Sequence, residues 1–153
     1  MAIHLTIMGH ISTKINYRIC RTAELWSDED DISWLVFLPE SEVEEADAVA
    51  IINAAGITFS GEKFVVLADI RNLKSISGEA RAYLAGGSAE RIHAAVAILV
   101  ENTATRLLAN FFINFHKPSR PTRIFSDEQK AIVWLKEHLA SKKNENNARN
   151  CAG

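Results

Sequence analysis

The sequence predicts an α/β fold: a mixed, mainly parallel sheet flanked by helices, with an antiparallel hairpin toward the N-terminal side. Three observations carry that expectation. Apolar residues alternate with a period of two through the first forty positions. Apolar runs follow at Phe64–Ile70, interrupted only by Asp69, and at Ala94–Val100, as in strands covered on both faces. Segments of helical period separate these runs, and parallel strands joined by single helices call for right-handed crossovers.

Each element has its own signal. Ile3, Leu5 and Ile7 alternate with His4 and Thr6, which reads as a half-buried strand. Ile15, Tyr17 and Ile19 begin a second, running weakly on to Leu25. Ile32, Trp34, Val36 and Leu38 form a third, closed by Pro39, and the polar run Ser27–Asp31 makes the turn of a hairpin. From Ser41 the period turns helical. Ser41 and Glu44 have capping-box spacing, Val43, Ala46, Val49, Ile51 and Ile52 mark a buried stripe, and Gly56 is the expected stop. A helix starting at Ser77 uses Ala80, Tyr83 and Leu84 inward and weakens at Gly86 and Gly87. Another spans Thr103–Phe115. A short strand, Thr122–Phe125, follows Pro118 and Pro121, and a closing helix opens on a Ser126–Gln129 capping box and buries Ile132, Leu135 and Leu139.

Length and composition bound the function. The 153 residues suit one domain, expected over 1–140, with a disordered tail at 141–153 that lacks apolar periodicity. At 48% hydrophobic and 24% charged, the chain reads as an ordinary globular protein. Seventeen basic residues against nineteen acidic ones give no general attraction to nucleic acid. No apolar run is long enough for a membrane span, and the start lacks a basic n-region, so a cytoplasmic protein is expected. Two cysteines, Cys20 and Cys151, cannot build a disulfide framework.

Catalytic patterns are sparse. Five scattered histidines form no metal-ligand spacing, and neither a phosphate-binding glycine loop nor a GxSxG elbow is present, so no metal, cofactor or catalytic residue is expected. A solvated helix start explains the carboxylates from Glu42 to Asp47, and a solvated turn explains Asp28–Asp31. His116, Lys117, Arg120 and Arg123 make a basic stretch without the interleaved aromatics of a nucleic-acid surface. Ligands of such sheets gather beyond the carboxyl ends of the parallel strands. Asp69, Arg71 and Arg106 fall there, and their convergence in an open cleft would mark an enzyme. Asn102, Thr103 and Arg106 form a candidate anion site, combining a helix N-terminus with a guanidinium fork. Leu107, Leu108, Phe111, Phe112 and Phe115 share one helix side and are candidates to line an apolar-ligand pocket, with core packing as the plainer account.

The stretch from Phe64 to Leu139 resembles the SpoIIAA-like proteins, which are STAS/SEC14-type domains. The carriers are DIRN at Asp69–Asn72, SISGEAR at Ser75–Arg81 and AVAILVEN at Ala95–Asn102. TRLLANFF at Thr105–Phe112, KPSRPTRIF at Lys117–Phe125 and AIVWL at Ala131–Leu135 complete the ordered set. The resemblance implies a mixed sheet of four or five strands and a non-enzymatic interaction or regulatory module, homodimeric or with a protein partner. Its SEC14 side implies the alternative of a carrier or sensor of a small apolar, lipid-like ligand. In the anti-sigma antagonist branch a serine before a glycine at a helix start is phosphorylated, which makes Ser77, and secondarily Ser75, candidate phosphosites.

Overall fold

Alternation in the N-terminal region resolves into three antiparallel strands: β1 (Ile15–Ile19), β2 (Ala23–Ser27) and β3 (Ile32–Phe37). The computed structural model describes residues 13–58, 64–86, 93–118 and 120–151, so the strand expected at Ile3–Ile7 lies outside the described residues. The single run expected from Ile15 to Leu25 is instead two strands. A tight turn closed by Cys20 N–H donating to Ala23 C=O at 2.7 Å separates them. β1 carries an irregularity where Asn16 takes a φ of 54°, a left-handed conformation that Asn tolerates better than most residues.

Asp28 organises the turn between β2 and β3. It is buried, which corrects the expectation of a fully solvated turn. One carboxylate oxygen accepts the Asp30 and Ile32 amides at 2.9 and 3.0 Å, and the other accepts the Trp34 indole N–H at 2.8 Å. Trp34 sits directly opposite Trp26 in register, and their rings stack at 5.8 Å.

On β1, the Tyr17 hydroxyl donates to Glu24 at 2.6 Å. That bond to a carboxylate, with some burial and the Glu24 charge, pushes the phenol up to about 12. An alkaline absorbance titration is therefore expected to show one tyrosine ionising near 12, returning to about 10 in Glu24→Gln. Unchanged titration in the variant would remove Glu24 as the cause.

Ser41 does not cap a helix. It belongs to a short strand, β4 (Ser41–Val43), and its hydroxyl donates to the Leu38 and Thr22 carbonyls. Helix α1 (Glu45–Thr58) begins later, and its real anchor is Asp47. Asp47 accepts the Glu44 amide at 2.9 Å and both Nε and Nη2 of Arg21, the Nε bond at 2.8 Å. The buried set of α1 is Asp47, Ala48, Ile51, Ile52 and Ala55, whereas Ala46 is exposed and Val43 is buried from β4 instead. Gly56 lies inside the helix rather than at its end.

The hydrogen bonds from Arg21 hold the Asp47 carboxyl below its ordinary value, against the opposing effect of burial. A depressed folded-state pKa contributes stability that is complete above the unfolded value, about 4, and is lost as pH falls through the folded one. The stability gap between the wild type and Asp47→Asn is accordingly expected to shrink as the pH of chemical denaturation is lowered below about 4. A gap independent of pH would show that the charge contributes nothing.

The apolar runs form β5 (Phe64–Asp69) and β7 (His93–Leu99), central and parallel in a six-stranded sheet of order β1-β2-β3-β5-β7-β8. β8 (Thr122–Phe125) lies on the far edge, parallel to β7, where it was expected. The sheet thus has more strands than the four or five implied by the resemblance. A further strand, β6 (Leu73–Ile76), pairs with β4 in a separate two-stranded sheet. Helices α2 (Gly78–Ala85) and α3 (Thr103–His116) follow their strands, and α2 ends at Gly86, whose amide bonds Tyr83 C=O. Gly87 lies outside the described residues.

Successive strand residues face opposite sides, and the core divides accordingly. Leu35, Val66, Ala68, Val96 and Ile98 pack with α1, α2 and α3. Ile32, Val65, Leu67, Ala97 and Leu99 pack with α4 (Glu128–Cys151), chiefly through Ala131 and Leu135. The cap of α4 is Asp127, which accepts the Lys130 amide at 3.1 Å, not the expected Ser126. Ser126 is one position too early to close that ring. Helix α4 runs on through the stretch expected as a disordered tail, as far as Cys151. From Ser141 to Cys151 there is neither proline nor glycine, and nothing local halts a helix already nucleated upstream.

Candidate functional site

At the carboxyl end of β5, Asp69 is buried beside the half-buried Arg71. The two form a closed fork: Arg71 Nε and Nη2 donate to the two carboxylate oxygens at 3.0 and 2.7 Å, and the Arg71 amide adds a third bond at 3.1 Å. Those bonds raise the guanidinium pKa further, and Glu128 lies 3.8 Å from it. Arg106 does not join them; it has no ion pair among the described residues. Such a fork spends both side chains on each other. No group of three or more metal-binding side chains occurs among the described residues.

The start of α3 is equally occupied. Asn102 is its N-cap, accepting the Thr105 amide at 3.0 Å, and the Thr105 hydroxyl accepts the Glu101 and Asn102 amides at 3.1 Å each. Thr103 is therefore the first helical residue rather than a cap. Of the three candidate anion ligands, Asn102 is committed to the cap, while Thr103 and Arg106 lie exposed with no side-chain hydrogen bond or ion pair among the described residues.

At the start of α2, Ser77 is the N-cap, half-buried, with its Oγ accepting the Ala80 amide at 3.1 Å. Its own amide donates to Val43 C=O at 2.9 Å, tying the helix start to β4. Ser75 is exposed on β6, opposite Glu42. Replacing Ser77 with alanine is expected to cost about 1 kcal/mol in urea denaturation, while Ser77→Asp, itself a capping residue, costs only tenths. Equal losses would remove the cap as the function of that hydroxyl.

The apolar helix α3 splits into two faces. Leu108 and Phe112 face inward and line a cleft of about 80 Å³ between the sheet and helices α2 and α3. Phe37, Val66 and Ile98 form its floor; Arg81 and Arg120 are its charged lining. Arg120 is buried and donates to Leu84 C=O at 2.7 Å. Leu107, Phe111 and Phe115 instead stand exposed at 64%, 39% and 70%. Phe111 and Phe115 stack at 4.0 Å, and the Arg81 guanidinium lies 4.2 Å from the Phe111 ring. Helical spacing places residues on a side but leaves open which part of that side the sheet covers, so the two groups were inseparable in sequence.

No curated protein matches the sequence. Among solved structures, an uncharacterized protein from the DUF3478 family with a SpoIIAA-like fold, from Shewanella loihica PV-4, is similar at a TM-score of 0.54 and 18% identity. The match covers 85% of this chain and 99% of that one. An anti-sigma factor antagonist from Mycobacterium paratuberculosis is similar at a TM-score of 0.53 and 15% identity, covering 75% of this chain and 93% of that one. At such identities the likeness is one of fold. Residues 25–139, from β2 into α4, match the family described as Domain of unknown function (DUF7793). With its antiparallel start, parallel centre and flanking helices, the chain belongs to that family and has a SpoIIAA-like fold.

Proposed function

We propose that the chain is a non-enzymatic interaction or regulatory module of STAS-like type, a single cytoplasmic domain that acts by binding a protein partner. The fold shared with an anti-sigma factor antagonist carries this reading. Ser77–Gly78 adds to it: a phosphate on a helix N-cap gains from the backbone dipole and alters the surface charge without unfolding the helix. Phosphopeptide mapping of the protein isolated from its own cells is expected to find modified Ser77. Specific turnover by the purified protein, abolished by Asp69→Asn or Arg71→Ala variants that fold normally, would defeat the reading.

The cleft beneath α2 and α3 favours a second reading, a carrier or sensor of a small apolar ligand. Its lining is almost wholly apolar. A cavity of ~150 Å³ accepts benzene, so 80 Å³ takes no more than a short alkyl group unless α2 and α3 part. Native mass spectrometry of freshly purified protein is expected to reveal a bound mass that a cleft-filling Ala68→Leu removes. Protein that is uniformly free of ligand would end this reading.

A further inference from the structure

Helices α1, α2 and α3 lie side by side in one layer on one face of the sheet. All three connect parallel strands, so they point the same way, with their N-termini at one end. The outer surface of this layer is uneven in charge and size. At one side, the start of α1 presents exposed Glu44 and Glu45, neither in an ion pair among the described residues, and then a low stripe of Ala46, Ala50 and Asn53 leading to exposed Ile57. At the other side, α3 presents the ridge Leu107–Phe111–Phe115, one turn apart at each step. No acidic residue occurs anywhere in α3, and Arg106 in its first turn lacks an ion partner among the described residues.

We propose that this helix layer is the face through which two copies of the chain associate, with α1 of each copy seated on α3 of the other. A two-fold axis running along the helices over α2 reverses their lateral order and keeps their direction. It places the glutamates of one α1 beside Arg106 of the facing α3, and Ile57 beside Phe115. The small residues Ala46 and Ala50 leave a groove into which Leu107 and Phe111 project, as ridges pack into grooves between helices. The contact occurs twice and closes on itself. Shifting that axis sideways is worse. Over α3 it brings Arg106 toward its own copy, and over α1 it brings the glutamates together, whereas exchange pairs opposite charges on both sides of the axis.

Sedimentation velocity of the full chain over a range of concentrations is expected to show a monomer–dimer equilibrium that weakens as salt is raised. Leu107→Ser and Phe115→Ser, both at exposed positions, should each raise the dimer dissociation constant about tenfold or more. Arg106→Glu should also weaken the dimer, and Glu45→Lys added to the same chain should recover most of that loss. Circular dichroism of every variant should match the parent. A chain that is monomeric at all concentrations overturns the proposal, as does a dimer indifferent to these substitutions. Weakening by the ridge variants without rescue by charge exchange overturns the α1–α3 pairing. A monomer that binds anionic phospholipid vesicles through the ridge also overturns it, and assigns the ridge to a lipid surface.

Discussion

Replacing Asp28 with alanine is expected to lower the unfolding free energy by about 3–5 kcal/mol. The carboxylate is buried and answers three donors, two backbone amides in the β2–β3 turn and the indole of Trp34. Removing it orphans all three, and each buried, unanswered donor costs about 1–3 kcal/mol, partly relieved where water enters. The damage should spread, because Trp34 stacks on Trp26 and both belong to the hairpin that begins the sheet. Asp28→Asn separates the contributions. Its carbonyl oxygen can still serve the turn amides, but its NH2 group faces the indole N–H, so a loss of roughly half is expected. Urea denaturation followed by tryptophan fluorescence measures both. A loss below about 1 kcal/mol for the alanine variant would mean that solvent already serves these donors.

Asp28 also shows where the sequence was silent. The acidic residues from Asp28 to Asp31 look alike as a polar run, yet the first is buried while Glu29, Asp30 and Asp31 are exposed. Which carboxylate turns inward depends on Trp34, six positions away and across the hairpin, and composition holds no trace of that contact. The β5 and β7 strands were legible for the opposite reason: continuous apolar runs have one stable destination, the middle of a covered sheet. β8 was legible because two prolines and a helix start confine it. β4 and β6 were not, since three- and four-residue strands are too short to establish a period, and Ser41 and Glu44 imitated a helix cap. At the strand ends, Asp69, Arg71 and Arg106 were legible as a group. That Asp69 and Arg71 close on each other without Arg106 was not, because spacing does not fix side-chain direction.

Leu135→Ala is expected to cost about 3–4 kcal/mol, whereas ending the chain after Ser141 should change stability by less than about 0.5 kcal/mol. The contrast follows from how α4 is held. Leu135 is fully buried beneath the sheet, against the cluster that includes Leu67, Leu99 and Phe125. Truncating its side chain forfeits transfer energy and leaves a cavity that a rigid sheet cannot close. Half-buried Leu139 is the last α4 residue in that cluster. Beyond Ser141 the helix presents exposed side chains such as Asn144, Glu145 and Arg149. Helical hydrogen bonds alone are barely favourable in water, so this extension persists by propagation from the docked part and returns little stability to it. Far-UV circular dichroism of the shortened chain should therefore lose helical signal while the melting midpoint stays in place. If the midpoint falls as far as it does in Leu135→Ala, the extension is bound to something in the folded protein, and the division of α4 into a docked half and a propagated half is wrong.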